Sequence, residues 1–224
     1  MSRELWTQVD QYINSMFIPG DPILEASLHE AAEAQLPNIQ VSPSQGKLLH
    51  LLVRSIAARN VLEIGTLGGY SAIWMARALP PGGRLITLEA DLKHAEVSRS
   101  NFDHAGLADR IELRLGPALD TLPKLQAEGC APFDFIFIDA NKSTMAEYFD
   151  WALKLSRPGT LILADNVIRD GEVTDAASKD PDVQGVRRFN QRVSAESRVS
   201  ATEIQTVGSK GYDGFAMILV LASA

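Results

Sequence analysis

The sequence predicts an α/β fold in which helices cover both faces of a largely parallel sheet. After residue 58, short apolar runs with strand character alternate with helical stretches, a pattern typical of right-handed crossovers in a parallel sheet. The chain has 224 residues, of which 46% are hydrophobic and 22% charged. This length and composition are typical of one globular domain with a substantial core. We therefore expect a single domain over 1–224, with N-terminal helices over 1–58 and an α/β core over 59–224.

The first 58 residues are predicted to be helical. Apolar side chains recur at helix spacing in an amphipathic stripe made of Leu5, Val9, Tyr12, Ile13 and Met16. Such a stripe usually packs into the core of the protein or against a second subunit in a dimer. A second helix is expected from about 23 to 34. A third begins at Ser42, a capping residue, with Pro43 in the first helical position and Gln45 completing a capping box.

Seven strands are predicted in the remainder of the chain. The first five are expected at 60–64, 84–89, 110–115, 133–139 and 160–165, separated by helices at 70–79, 91–105, 118–127 and 144–155. Two more strands, at 199–207 and 214–221, are predicted to form an antiparallel hairpin joined by a loop over 208–213. The polar stretch 166–184 is interpreted as a long surface loop, which is often functional.

Composition argues against several classes of partner. Acidic residues number 28 and basic residues 21, giving a net charge of −7, whereas nucleic-acid binders usually carry a basic face. No apolar run reaches the roughly 18 residues that a membrane-spanning helix needs, and we see no secretory signal pattern. The single cysteine, Cys130, can form no internal disulfide. We expect a cytoplasmic protein without nucleic-acid or membrane partners.

Ligands of open parallel sheets bind beyond the carboxyl ends of the strands, so the residues there carry the functional argument. The first strand leads into a glycine-rich loop that spans Glu63 to Ser71, and the second strand ends at Glu89. Glycines let a ligand approach the backbone. An acidic residue at the end of the second strand can accept hydrogen bonds from both hydroxyls of a ribose. These features fit either a nicotinamide cofactor or S-adenosylmethionine.

The spacing within the loop favours S-adenosylmethionine. A dinucleotide fold needs G-x-G-x-x-G, but this loop has glycines at 65, 68 and 69. Glu63 would repel a pyrophosphate, yet it suits the cationic ammonium of a sulfonium amino acid. Ser71 could then hydrogen-bond the methionine carboxylate. The alternative is that Glu63 is a strand-end residue that meets a backbone N–H.

Oxygen-bearing side chains end the fourth and fifth predicted strands. These are Asp139, Asp165 and Asn166, whose hard oxygens suit Mg²⁺ or a similar divalent ion. A catechol oxygen on such an ion loses its proton more easily, and Lys142 could take that proton. Alternatively, each aspartate could be a helix cap or a turn former.

In combination, these features make the chain resemble the cation-dependent O-methyltransferases of the caffeoyl-CoA and catechol O-methyltransferase type, in particular their small bacterial members. The resemblance covers nearly the whole chain. The matching strings are Val41–Gly46, Glu63–Ser71, Leu88–Glu89, Phe135–Lys142 and Asp165–Asn166.

The resemblance implies the fold of the S-adenosylmethionine-dependent methyltransferases and a homodimer. It implies metal ligation by Asp139, Asp165 and Asn166, with Lys142 as the catalytic residue. The implied ion is Mg²⁺, with Mn²⁺ and Ca²⁺ left open. The implied cofactor contacts come from Val41, Glu63, Gly65, Ser71, Glu89, Ala118, Asp139 and Ala140. The implied acceptor is a catechol-like or phenylpropanoid molecule with neighbouring hydroxyls.

Two positions bear on the acceptor. The family string is usually Asp-Ala-Asp-Lys, but here the third residue is Asn141. This residue lies beside the expected reaction centre and could affect substrate preference. Tyr212 and Phe215 follow a glycine-rich turn and could border the acceptor pocket.

Three rival interpretations remain. A nicotinamide-dependent oxidoreductase is disfavoured by the glycine spacing and by the lack of a Tyr-x-x-x-Lys pair. A non-catalytic cofactor-binding module would have no need for the whole set of Asp139, Lys142, Asp165 and Asn166. Methylation of nitrogen on nucleic acid is disfavoured by the acidic charge and by the absence of an Asn/Asp-Pro-Pro-aromatic string after the fourth strand.

Overall fold

The computed structural model of the chain describes residues 2–222. Within these residues, the seven strands are β1 (Asn60–Ile64), β2 (Arg84–Glu89), β3 (Ile111–Leu115), β4 (Phe133–Ile138), β5 (Ser156–Asp165), β6 (Val199–Gly208) and β7 (Gly211–Val220). The eight α-helices of the same range are α1 (Arg3–Phe17), α2 (Pro22–Glu33), α3 (Pro43–Ser55), α4 (Tyr70–Ala76), α5 (Leu92–His104), α6 (Ala118–Ala127), α7 (Met145–Lys154) and α8 (Pro181–Ser194). Two short 3₁₀ segments span Lys142–Thr144 and Arg169–Thr174, and the second is interrupted at Asp170 and Gly171, whose backbone is not helical.

The strands form one sheet in the order β3-β2-β1-β4-β5-β7-β6. The pairs β1–β2, β2–β3 and β4–β5 are parallel, whereas β7 runs antiparallel to both β5 and β6. The predicted α/β fold with a mostly parallel seven-stranded sheet and a C-terminal antiparallel hairpin is therefore confirmed. None of the helices within the described range is both long and apolar enough to cross a membrane.

The chain divides into two compact units, the first of which ends at Pro117. In the first unit, Val61, Leu62 and Ile64 of β1 have no exposed surface. In the second, Phe133, Phe135 and Phe137 of β4 are likewise fully buried. Near-continuous apolar runs of this kind are expected for parallel strands that are covered on both faces. The expectation of one domain over 1–224 stays a prediction.

Helix α1 forms where the amphipathic pattern predicted it, and Ser2 caps it by accepting a hydrogen bond from the amide of Leu5. No residue of α1 is buried, however. Its apolar stripe is exposed to solvent, with Tyr12 64% and Met16 61% accessible. The stripe therefore does not pack into the core of its own chain.

The predicted surface loop 166–184 is wrong in part. It contains the 3₁₀ helix Arg169–Thr174, and α8 begins within it at Pro181. Asp180 caps α8 by accepting a hydrogen bond from the amide of Asp182, and Pro181 occupies the first helical position. The buried face of α8 comprises Val183, Gly185, Val186, Phe189 and Val193. This apolar face is interspersed with charged residues, which obscured the helical period.

The predicted loop 208–213 is also wrong, because the two strands extend into it. Gly208 pairs with Gly211, so only Ser209 and Lys210 lie outside the ladder. Gly211 has a φ of +112°, a conformation that favours glycine. Tyr212 therefore lies within β7 rather than in a loop.

Candidate active site

The glycine-rich loop joins β1 to α4 in the first unit. Gly65 has a φ of +102° and its amide donates to the carbonyl of Leu88 in the neighbouring strand. Gly69 precedes α4 with a φ of +83°, and a Cβ there would lie 2.4 Å from the ring of Phe102. This glycine is thus required both by backbone conformation and by space, because a side chain would collide with α5.

Glu63 is fully buried at the end of β1, and its carboxylate accepts hydrogen bonds from two hydroxyl groups. Its Oε1 accepts a hydrogen bond from Ser71 Oγ at 2.6 Å, and its Oε2 accepts one from Thr87 Oγ1 at 2.6 Å. Thr87 lies directly beside Glu63 in the parallel register of β1 and β2. The structure therefore brings two predicted cofactor residues, Glu63 and Ser71, into direct contact. A buried carboxylate also attracts a cationic ligand group, which is the property behind the predicted ammonium contact.

Glu89, at the end of β2, is 9% exposed and organises the same loop. Its Oε2 accepts hydrogen bonds from the amides of Thr66 and Leu67, at 3.2 and 2.8 Å. Its Oε1 accepts from the amides of Ala90 and Asp91, both at 2.9 Å. An ionised carboxylate has about four acceptor sites, and four amides occupy them here. Ribose binding by Glu89, which stays a prediction, would require some of these bonds to be exchanged.

The other predicted cofactor residues occupy element ends. In the first unit, Val41 is buried just before α3, whose capping residue Ser42 accepts a hydrogen bond from the amide of Gln45. The second unit contains three of the predicted residues. Ala118 is the first residue of α6, and Asp139 and Ala140 follow β4, all of them partly exposed.

The predicted metal ligands lie at the carboxyl ends of two neighbouring parallel strands in the second unit. Ile138 of β4 is paired with Ala164 of β5, so the next residues along each strand, Asp139 and Asp165, come side by side. Asp165 is 6% exposed. Asn166 follows it with a φ of +60°, a left-handed conformation. The predicted proximity of the two strand ends is confirmed.

Lys142 begins the 3₁₀ helix after β4 and is 7% exposed. Its Nζ donates a hydrogen bond to Asp139 Oδ1 at 2.8 Å. The predicted base and a predicted ligand therefore form a partly buried ion pair. A divalent ion at Asp139 would share this carboxylate with the ammonium group.

The side chain of Asn141 stabilises the backbone around Lys142. Its Oδ1 accepts hydrogen bonds from the amide and the hydroxyl of Ser143, at 2.9 and 2.8 Å. It thus caps the 3₁₀ helix that carries Lys142. The Asn141 side chain is exposed.

The chemistry of the donor set fits a divalent ion. Two carboxylates and one amide oxygen are hard ligands of the kind that Mg²⁺ prefers. Within residues 2–222, no three His, Cys, Asp or Glu side chains form a metal-binding group. The predicted set contains only two such side chains, because its third member is Asn166.

Tyr212 and Phe215 do not share a face of the sheet. They are three residues apart in β7, and successive side chains of a strand point to opposite faces. The Tyr212 hydroxyl donates to Gln205 Oε1, and a Cβ on Gly171 would lie 3.5 Å from the Tyr212 ring. Tyr212 thus lies next to the segment that follows Asn166, whereas Phe215 is paired with Asp165 and has its side chain on the other face of the sheet from Tyr212. The substrate role of Tyr212 stays a prediction.

Sequence reasoning missed Thr87 and Asp213. Thr87 contacts Glu63 as described, and its position two residues before Glu89 was the available signal. Asp213 Oδ1 accepts hydrogen bonds from the amides of Ile168 and Arg169. Since these residues are more than 40 positions away in the chain, no local pattern indicated the contact.

Several known proteins are similar to this chain in sequence and in structure. A family model described as O-methyltransferase matches residues 15–218. A catechol O-methyltransferase of Niastella koreensis is 55% identical over 98% of this chain and 100% of its own length. A catechol O-methyltransferase of Mycobacterium tuberculosis is 51% identical over 95% of this chain and 94% of its own length. The crystal structure of an O-methyltransferase from Bacillus cereus in complex with SAH has a TM-score of 0.97 and 59% identity, covering 98% of this chain and 100% of that one.

The match to the family model extends over most of the chain, and these relatives align over nearly their whole lengths. The chain therefore belongs to the O-methyltransferase family, and it is an O-methyltransferase with the fold of the enzymes that depend on S-adenosylmethionine.

Proposed function

We propose that the protein transfers the methyl group of S-adenosylmethionine to one of two neighbouring hydroxyls of a catechol-like or phenylpropanoid molecule, with the help of a divalent cation. The observation that carries this proposal is the parallel register of Ile138 and Ala164, from which we infer that Asp139 lies beside Asp165, together with the 2.8 Å distance from Lys142 Nζ to Asp139 Oδ1. The names of the two catechol O-methyltransferase relatives support the acceptor class.

The residues predicted to contact the methyl donor would each meet one part of it. Glu63 and Ser71 would meet its amino-acid end, and Glu89 would meet its ribose. The remaining expected contacts come from Val41, Gly65, Ala118, Asp139 and Ala140. The complex of the Bacillus cereus relative with SAH supports the choice of S-adenosylmethionine as the methyl donor.

Asp139, Asp165 and Asn166 would hold the divalent ion, expected to be Mg²⁺. When bound, such an ion makes a neighbouring hydroxyl easier to deprotonate. Lys142, in its unprotonated form, would accept the proton of the acceptor hydroxyl. The acceptor oxygen would then form a bond to the methyl carbon as the carbon–sulfur bond breaks, leaving the methylated acceptor, S-adenosylhomocysteine and a proton on Lys142. The protein contributes orientation and electrostatic stabilisation.

We also propose that the protein is a homodimer, as the resemblance implies. The exposed apolar stripe of α1 supports this proposal, because Val9, Tyr12 and Met16 present apolar surface that a partner could cover. Light scattering coupled to size-exclusion chromatography tests it: a molar mass of twice the 24.4 kDa chain is expected, and the mass of one chain would contradict it.

The acceptor proposal is tested by comparing catechol with resorcinol, whose two hydroxyls are not neighbours. With labelled S-adenosylmethionine and Mg²⁺, we expect methylation of catechol and little of resorcinol. Lys142→Met should lower kcat for catechol by roughly 10²- to 10⁴-fold, the range for loss of a general base. Lys154→Met is the matched control, because Lys154 lies on the exposed face of α7 over Trp151. Equal rates with the two diphenols, or an unchanged rate for Lys142→Met, would contradict the proposal.

A further inference from the structure

The segment after the predicted ligand Asn166 has an unusual backbone. Asn166, Arg169 and Asp170 have φ values of +60°, +54° and +56°, and Gly171 has +88°. Residues other than glycine adopt this left-handed conformation rarely. They persist in it only where the surrounding structure fixes them, and such positions cluster at functional sites. Some other part of the second unit must therefore hold this segment.

The side chain of Asp213, on β7, provides that support. Its Oδ1 accepts hydrogen bonds from the amides of Ile168 at 2.9 Å and Arg169 at 3.1 Å. The same oxygen accepts the amide of Gly214 at 2.9 Å. One carboxylate oxygen thus joins the segment after Asn166 to the strand beside it.

These hydrogen bonds continue the ladder between β5 and β7. Asp165 is paired with Phe215 in the antiparallel register, and the amide of Val167 donates to the carbonyl of Gly214 at 3.2 Å. The paired register of the two strands ends at Asp165, and the left-handed residues Arg169 and Asp170 follow. The Asp213 carboxylate then replaces the main-chain acceptors for the next two amides.

Close packing at Gly214 explains how the segment after Asn166 approaches β7. A Cβ there would lie 2.4 Å from the carbonyl oxygen of Ile204 and 2.6 Å from Ile168 Cγ1. Glycine at 214 therefore allows Ile168 to lie directly against β7, where its amide reaches Asp213. Asp213 and Gly214 act together. The carboxylate of Asp213 accepts the hydrogen bonds, and the missing side chain of Gly214 leaves room for Ile168.

We propose that Asp213 is a positioning residue for the divalent-ion site: by fixing the backbone of residues 166–169, it holds Asn166 in the orientation in which its side-chain oxygen binds the ion beside Asp165. This inference rests on the proposed function. Asp213 does not itself touch the ion. It acts through the backbone that carries Asn166.

The test compares three variants of the full chain. Asp213→Ala removes the acceptor, whereas Asp213→Asn keeps an oxygen in the same place without the charge. Asp175→Ala is the matched control, because Asp175 Oδ1 accepts the amide of Ala177 in the exposed part of the same region. The probe is Mn²⁺ alone, titrated by electron paramagnetic resonance and calorimetry well below the unfolding temperature. Amide hydrogen exchange at Ile168 and Arg169 is the second readout.

We expect Asp213→Ala to weaken Mn²⁺ binding by roughly 10- to 100-fold, the usual effect of losing a group that orients a metal ligand. The two amides should be protected in the parent protein and exchange faster in this variant. Asp213→Asn should restore most of the affinity and the protection, and Asp175→Ala should behave like the parent. Affinity for S-adenosylhomocysteine should be unchanged in all three.

Several results would overturn the inference. Parent-like Mn²⁺ affinity in Asp213→Ala would show that Asn166 does not depend on this contact, and an equal loss in Asp213→Asn would show that charge, not hydrogen-bond acceptance, matters. If Asp213→Ala does not fold, rapid exchange of the two amides in the parent is sufficient to reject the inference. A parent protein that binds no Mn²⁺ would reject the proposed metal site as well, and this outcome is distinct from a loss confined to the variants.

Discussion

The hydroxyl of Ser71 donates a hydrogen bond to the carboxylate of Glu63 over 2.6 Å. Two residues that were predicted to bind the two charged ends of the methionine moiety are therefore bound to each other. Thr87 donates to the other oxygen of the same carboxylate, also at 2.6 Å. Each of the two hydroxyls donates one hydrogen bond to Glu63, but only Ser71 is predicted to contact the methyl donor.

This relationship leads to a matched pair of variants. Ser71→Ala and Thr87→Val each remove one hydrogen bond to a buried carboxylate, so each should lower the free energy of unfolding by at least about 1.5–3 kcal/mol. Thr87→Val also removes the hydrogen bond between the hydroxyls of Thr87 and Thr66 and should therefore be the less stable of the two. Only Ser71→Ala should also weaken binding of S-adenosylmethionine, by about tenfold, because it loses a contact worth roughly 1.4 kcal/mol. Urea unfolding and calorimetric titration measure the two effects. Equal affinities in the two variants would contradict the predicted role of Ser71.

Glu89 is predicted to be necessary for the conformation of the glycine-rich loop. Its carboxylate accepts four amides, and the residue Leu67 among their donors has a left-handed φ of +50°. Glu89→Ala should therefore lower the free energy of unfolding by at least about 2 kcal/mol, and it should abolish binding of S-adenosylhomocysteine. Glu96→Gln, on the exposed face of α5, is the control. A Glu89→Ala protein with parent stability would show that the loop keeps its conformation without these bonds.

Asn141 stands where the resemblance leads us to expect aspartate, and its hydrogen bonds to Ser143 indicate how far the change matters. The Asn141 oxygen caps the 3₁₀ helix of Lys142, and aspartate is an equally good capping residue. Asn141→Asp should therefore keep activity within about tenfold, whereas Asn141→Ala should lower kcat further because the helix of Lys142 loses its cap. Steady-state kinetics with catechol measure both. A complete loss in Asn141→Asp would mean that this residue acts on the substrate or the ion directly.

Glu196 is predicted to make stability depend on acidic pH. Hydrogen bonds from Arg198 at 2.7 Å and Arg192 at 2.9 Å lower the pKa of the Glu196 carboxyl from 4.5 to about 2. A carboxyl with a lowered pKa stabilises the folded state above the unfolded-state pKa, and the effect disappears as pH falls through the folded-state value. Its contribution should therefore be complete above about pH 4.5 and be lost toward pH 2.

The variant Glu196→Gln tests this dependence. It should be less stable than the parent at neutral pH, and the difference should shrink as the pH is lowered from 4.5 toward 2. Urea unfolding over a series of pH values measures it, with Glu147→Gln on the exposed face of α7 as the control. A difference that is constant with pH would contradict the linkage.

The order of the elements and the strand-end residues could be predicted from the sequence, because they depend on local patterns. Alternation of apolar runs and helical stretches gave the sheet, and the parallel arrangement then placed Asp139 beside Asp165, as the register of Ile138 and Ala164 confirms. The start of helix α8, inside the predicted loop 166–184, was missed because charged residues surround its apolar positions, although Asp180 and Pro181 are a recognisable start signal.

The hydrogen-bond partners within the site could not be predicted in the same way. Glu89 was expected to face a ribose, but its four acceptor sites are filled by backbone amides from two loops. Asp213 was not identified at all, since its amide partners Ile168 and Arg169 are distant in the chain and become neighbours only through the antiparallel pairing of β5 with β7. Such contacts depend on tertiary packing, which residue spacing does not encode.

The most direct test of the proposed mechanism is methyl transfer from labelled S-adenosylmethionine to catechol before and after removal of divalent ions by EDTA. We predict that EDTA abolishes the activity and that excess Mg²⁺ restores it in the parent and in Asp170→Asn, an exposed carboxylate of the same segment, but not in Asp165→Asn. Undiminished methylation of catechol in EDTA would contradict a metal-dependent reaction and remove the roles proposed for Asp139, Asp165 and Asn166.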